Sequence, residues 1–478
     1  MSGTPEVRYG DGGGELRADG RGTPAAAATA GRNPAYPEAA DSVGVERNPV
    51  PPTPATEPTR RAHPPARPRA TTAEPAAGAA AVPRCEHLAV TQPQAPGAGL
   101  APKGDRVEGL LLGLAAGDAA GWPAARHRAA RMPEWTRRLT RELDTFAEQN
   151  ATTTLPVPIA LNQPPEPLRL GPSDDAEWAA FAAETVLTGF GDLFVGLPAD
   201  RRTRAAVDLA WNTLAAEIAA AADRAPEVES AVLPLRARIS VRAGLGNLAT
   251  GLRPPATGHD NPHYFDDAAC VRAVVLAVVH PGRPHAAAEL AEFDARYTQD
   301  GDGVHGARAM AAAVAAALGG GGTEAAVAAA LEQLPDSTEI GRNAQHAVKL
   351  ARDFADEPAG SFALVPLLEH QIVDHVYSYG IAAAETVPVA LALTVASGGN
   401  VSAAVPAAAC LSRVADSAPA LAGALTGALS GGATVPPTWR DACRTLAGCA
   451  LPRLAGTDLV ELAGLLTRAL AAADHNSR

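Results

Sequence analysis

The chain has 478 residues and 47% hydrophobic content, enough to bury a sizeable core in one large domain or two ordinary ones. A formal net charge of −12 speaks against a general nucleic-acid binder, which would carry a basic stripe. The five cysteines (Cys85, Cys270, Cys410, Cys443 and Cys449) form no CxxC pair. They argue against a disulfide framework or a cysteine zinc site and for a reducing cytosol.

The apolar content is mostly Ala, Leu and Val, with only 4% aromatic residues. Alanine is the strongest helix former and lets helices approach closely, so an all-α protein is expected. Residues 1–104 are rich in proline and contain two aromatics, Tyr9 and Tyr36. Such a segment buries too little apolar surface to offset the entropy of ordering, so a disordered tail is expected before a domain over 105–475. No apolar signal core follows Met1, so no secretory signal is expected. The weakly polar run 381–398 contains Glu385 and Pro388 and reads as a buried helix, so no membrane contact is expected.

Residues 106–120 place apolar side chains at helical spacing, and Gly121-Trp122-Pro123 reads as a stop. Residues 134–149 form an amphipathic candidate, and the Pro-rich stretch 152–172 reads as an ordered loop leading into Ser173-Asp174-Asp175. Ser173 suits the N-cap of a helix over 176–187, with acids in its first turn. Further helices are expected over 204–222, 233–249, 266–279, 286–297, 304–318 and 324–334. The series continues with 336–354, 383–396, 403–410, 420–429, 439–450 and 459–473. A loop is expected at 251–262 and a glycine turn at 319–322. Neither strand-length alternation nor a fixed repeat is visible.

Two short acidic motifs carry the chemistry: Ser173-Asp174-Asp175 and Asp416-Ser417. Each joins carboxylate to hydroxyl at the start of an Ala-rich helix, and oxygen-only sets suit a hard cation such as Mg²⁺. The same residues are also what ordinary helix caps look like, so a metal site requires the two motifs to meet in space. Asp118, between Gly117 and Ala119, is an acid that burial makes costly unless something pairs with it. It reads either as a group that touches substrate or supports the site, or as an acid at a helix end. Arg272 can grip a phosphate bidentately or pair with Asp266 or Asp267. His259-Asp260-Asn261-Pro262-His263 reads as a structural or substrate-facing loop, and Asp374-His375 as a helix pair. Asp300-Gly301-Asp302-Gly303 fails as a calcium loop, since Val304 and Ala311 hold its fifth and twelfth positions.

Four blocks, in this order, resemble the ADP-ribosylglycohydrolase family over 106–470. The first is Gly113-Leu114-Ala115-Ala116-Gly117-Asp118-Ala119-Ala120-Gly121, similar to the family's opening helix. The second is Ser173-Asp174-Asp175, similar to its Thr/Ser-Asp-Asp-Thr motif. The third is Asp267-Ala268-Ala269-Cys270-Val271-Arg272, in the place of an Asn-Gly-x-x-Met-Arg element. The fourth is Asp416-Ser417 with Ala422-Gly423-Ala424-Leu425-Thr426-Gly427-Ala428, similar to Asp-x-Asp-Thr and its small-residue helix. Pro436-Pro437-Thr438-Trp439 resembles the family's exit. Val414 stands where the first acid of the fourth motif would be, and valine binds no metal. Ala176, Ala125, Asp267 and Gln299 depart from the family's Thr, Glu, Asn and His.

The resemblance implies a single multi-helix domain that hydrolyses the glycosidic bond between ADP-ribose and an acceptor, with Mg²⁺ orienting the ribose and activating water. By position, Asp175 and Asp118 would be catalytic, and Gly117, Asp267 and Arg272 would bind substrate. Ser173, Asp174, Asp175, Asp416 and Ser417 would hold one or two Mg²⁺, the second requiring an acid where Val414 stands. The implied partner is an ADP-ribosylated protein or a small ADP-ribosyl compound, met by a cytoplasmic monomer. A member lacking a working metal site would instead bind ADP-ribose or a related nucleotide without turnover.

Overall fold

The computed structural model describes residues 103–130, 171–224, 237–354, 360–374 and 380–476, all within the unit Gln92–Arg478. The expected tail, apart from its last two residues, and the expected helix at 134–149 lie outside the described residues. Among the described residues the regular structure is helical, with only isolated bridges such as Asp266 with Ala382 and Thr445 with Asp458. The all-α expectation is met.

The helices run in chain order as α1 (Lys103–Ala130), α2 (Asp174–Phe190), α3 (Ala199–Arg224), α4 (Ile239–Ala249), α5 (Ala256–His259) and α6 (Ala268–Leu276). There follow α7 (Pro284–Ala295), α8 (Gly301–Leu318), α9 (Thr323–Leu331), α10 (Glu339–Arg352) and α11 (Gly360–Gln371). The last are α12 (Ala383–Ala396), α13 (Val401–Cys410), α14 (Ala418–Ser430), α15 (Pro437–Cys443) and α16 (Leu459–Asn476). Helix α10 starts where its cap dictates, Thr338 Oγ1 accepting from the Gly341 N–H.

Three expectations need correction, and one helix is added. Helix α1 continues through Gly121-Trp122-Pro123 to Ala130; a proline removes one backbone bond, and packing that reaches Gly121 supports the helix beside it. Helix α11 lies in a stretch for which no element was expected; it contains Pro366, and its Leu364 and Leu368 are fully buried and hold it in place. The loop expected at 251–262 contains the short helix α5. The helix expected over 439–450 ends at Cys443, because the Cys449, Ala450 and Leu451 N–H groups donate to Glu177 instead of to a helix.

The core centres on α12 and α14, in which nearly every side chain is buried. Helices α1 and α14 touch backbone to backbone along a glycine stripe with a period of four residues. A Cβ on Gly113 would lie 2.1 Å from the Gly423 carbonyl oxygen, and one on Gly117 would lie 2.0 Å from that of Pro419. Gly109 meets Gly427 and Gly121 meets Ala415 in the same way. Residues four apart share one helix face, so the stripe fixes the register of the pair. That register sets Asp118 on α1 near the start of α14.

Candidate functional site

Ser173, Arg238, Asp267 and Ser417 hold the N-cap positions of α2, α4, α6 and α14. Their helix starts converge on the guanidinium of Arg238. Its Nη1 lies 2.5 Å from Asp416 Oδ2, its Nη2 lies 3.5 Å from Asp175 Oδ1 and also donates to Ser417 Oγ, and its Nε lies 3.1 Å from Asp267 Oδ1. The Nε contact is an ion pair without hydrogen-bond alignment. The two acidic motifs therefore do meet in space, and an arginine joins them.

Asp118 builds the other side of the site. It accepts from the Ser173 N–H at 2.7 Å, the Ser173 hydroxyl at 2.5 Å and the Ala176 N–H at 2.9 Å. Helix α2 is thus capped by an acid from another helix. Ser173 stands at the expected N-cap, but its side chain makes no cap bond; its hydroxyl proton goes to Asp118, with Asp174 Oδ1 more distant at 3.2 Å. This corrects the simple serine-cap reading.

The electrostatics follow from burial. Asp118, Asp174, Asp175, Asp266 and Asp267 are all buried, and the single charge of Arg238 offsets only part of theirs. Burial, aided by Asp174, pushes Asp118 up to about 7, and burial also raises Asp267 to about 7. Burial lifts Asp175 well above the usual carboxylate range against the pull of Arg238. For Arg238, burial opposes the charge, but Asp267, Asp416, Asp175 and Asp174 outweigh it and hold the group protonated. The positive ends of α2, α6 and α14 help to tolerate the surplus of acids.

The other site expectations divide. Asp267 belongs to the cluster, where it is fully buried and pairs with Arg238. Gly117 has a packing reason, the approach to Pro419. Arg272 is fully buried, with Nε 2.8 Å from Asp294 Oδ2, Nη1 3.1 Å from the Ala268 carbonyl and Nη2 3.0 Å from Thr298 Oγ1. Its guanidinium also lies 4.8 Å from the Trp211 ring, so every contact it makes here is to the protein core. Asp175 Oδ2 is buried without a hydrogen-bond partner, and Asp118 has both oxygens engaged. Both residues expected to be catalytic therefore sit behind the surface, while the Asp416 side chain is 27% exposed. His259 pairs with Asp300 on the surface, and the partner of Asp374 in the expected helix pair, His375, lies outside the described residues.

Sequence reading missed two residues. Arg238 lies 63 positions from Asp175 and 178 from Asp416, and in its own stretch it looks like an ordinary solvated arginine. Glu177 looked like a first-turn acid. It is fully buried and accepts from the Cys449, Ala450 and Leu451 N–H groups at 2.7, 2.7 and 2.8 Å, anchoring α2 to the segment before α16. A run of three acids, Asp174, Asp175 and Glu177, in one buried turn was the available signal.

Four of the five expected Mg²⁺ donors are engaged by other side chains as they lie. Asp175, Asp416 and Ser417 are engaged by Arg238, and the Ser173 hydroxyl donates to Asp118. A divalent ion spanning the two motifs would lie against a like-charged guanidinium. Val414, the missing acid, is fully buried in the apolar core.

No curated protein matches the chain. A solved structure described as an ADP-ribosylglycohydrolase-related protein complex is similar at 20% identity, covering 77% of this chain and 99% of that one, with a TM-score of 0.43. The family model for ADP-ribosylglycohydrolases matches residues 100–475, which include every helix described above except the final residue of α16. The chain belongs to the ADP-ribosylglycohydrolase family.

Proposed function

We propose that the chain hydrolyses the glycosidic bond between ADP-ribose and an acceptor at the site where the two acidic motifs meet. Family membership supports a glycohydrolase-type function. The observation that carries the rest is that Asp416, the partly exposed acid of the cluster, is held by Arg238 beside the start of α2. The reaction passes through an oxocarbenium-like state, so carboxylates in excess of cations stabilise the charge that develops. Asp416 takes a proton from the attacking water. The water oxygen bonds to the anomeric carbon as the bond to the acceptor breaks, and the acceptor leaves with a proton drawn from solvent. Asp118 and Asp175 position this edge: Asp118 fixes the start of α2, and Asp175 shares Arg238 with Asp416. This hydrolysis uses the chain's own carboxylates, since Arg238 and Asp118 engage four of the five donors that Mg²⁺ would need. A protein or small molecule bearing ADP-ribose is the substrate class, and sparse cysteine usage supports a cytosolic setting. Among the described residues no helix is long and apolar enough to cross a membrane.

A second reading, binding of ADP-ribose or a related nucleotide without turnover, is favoured by Val414, which leaves the fourth motif one carboxylate short. One experiment separates the two. The full chain is incubated with peptides carrying ADP-ribose on arginine or serine, and free ADP-ribose is quantified alongside binding of ADP-ribose itself. Release that falls by about 10²-fold or more in Asp416→Asn supports hydrolysis, this being the usual scale for general-base loss. Saturable binding with no release supports the second reading, and neither binding nor release removes both.

A further inference from the structure

Arg238 makes more contacts than ordinary surface decoration or a single ion pair would require. Its side chain is 6% exposed, and all three of its nitrogens face the oxygens of four residues on three other segments. Those oxygens include three of the five that the sequence motifs offer to a metal: Asp175, Asp416 and Ser417. A planar guanidinium suits the task, since its fork can bond several carboxylates at once while staying charged at any working pH.

We propose that Arg238 is the resident cation of this site, its guanidinium bridging the two acidic motifs in the place of a divalent ion. While it stays there, the chain binds no Mg²⁺ between Asp175 and Asp416. The backbone supports the placement, because Arg238 is the N-cap of α4, whose second residue, Ser240, is fully buried, its carbonyl accepting from Asn261 and its hydroxyl from Gln299. The arginine is thus fixed from a packed helix start. This inference rests on the reading that the meeting point of the two motifs is the functional site, but its test reads metal binding and not turnover, so failure of either is recognised separately.

The full chain, stripped with EDTA, is titrated with MgCl₂ by calorimetry and with Mn²⁺ by electron paramagnetic resonance. Wild type is expected to show no saturable site up to millimolar metal. Arg238→Ala is expected to gain one, tighter by about tenfold or more, the scale on which neighbours of metal sites alter affinity. Arg238→Gln, which keeps length and hydrogen bonding without the charge, is read in its place if the alanine variant fails to fold. Saturable binding by wild type that Asp416→Asn abolishes overturns the proposal, whether or not the arginine variants fold. A folded Arg238→Ala or Arg238→Gln that gains no site also overturns it, since the arginine would then not be what keeps the ion out.

Discussion

Replacing Arg272 tests whether this arginine holds the core or grips ligand. Its guanidinium is fully buried and bonds Asp294, the Ala268 carbonyl and Thr298, with Trp211 beneath it. In Arg272→Met the apolar stem is largely kept, but Asp294 is left buried with the Trp211 N–H, 2.8 Å away, as its remaining side-chain donor. Removing one partner of a buried ion pair costs about 3–5 kcal/mol. The stack of Trp211 on Tyr297 and Trp178 lies directly against the gap, so little relaxation is available to reduce that figure. Urea unfolding followed by circular dichroism measures it, as a lower midpoint at unchanged slope. Pairing the substitution with Asp294→Leu removes both charges, and the double variant is expected to lose less than the sum of the singles. If Arg272→Met unfolds at the wild-type midpoint, the core assignment is wrong, and a phosphate-facing role returns.

Other predictions follow from the packing and the caps. Gly113→Ala sets a Cβ 2.1 Å from the Gly423 oxygen and should lower the thermal midpoint through an overpacking loss of about 1–3 kcal/mol, whereas Gly246→Ala, with nothing within 4 Å, should be neutral or slightly stabilising. Equal effects in a melting experiment would count against the glycine stripe. Glu177→Ala strands three N–H donors, each worth about 1–3 kcal/mol if left unsatisfied, so protease digestion should begin near 449–451; native resistance would contradict the anchor. Burial, aided by Arg283, lowers His280 to about 4, below its ordinary 6.5. The unfolded chain therefore takes up the proton first, so stability is full above about pH 6.5 and falls towards pH 4. Partial solvent access limits the loss to roughly 1–2 kcal/mol, and His280→Gln should flatten the acid side of a stability–pH curve.

The fold was largely legible because its causes are local. Alanine and leucine at helical spacing mark α8, α12 and α16 within a few residues, and the four-residue glycine period on α1 already states how that helix packs. Each half of the site was legible for the same reason, since Ser173-Asp174-Asp175 and Asp416-Ser417 are contiguous. What joins them was not. Arg238 acquires its role from residues up to 178 positions away, and the residues around it give no sign of that. Arg272 misled in the opposite direction: its real partner, Asp294, lies 22 positions on, beyond the adjacent acids that sequence offered. Helix α11, for which no element was expected, contains Pro366, whose lost backbone bond is offset by the burial of Leu364 and Leu368.

One arginine, Arg238, bridges the two acidic motifs. Diffraction from crystals soaked in Mn²⁺ and measured at an anomalous wavelength tests it most directly. The expected map shows guanidinium density between Asp175 and Asp416 and no anomalous peak there. A peak within about 2.1–2.2 Å of both carboxylates, with Arg238 turned away, would contradict it.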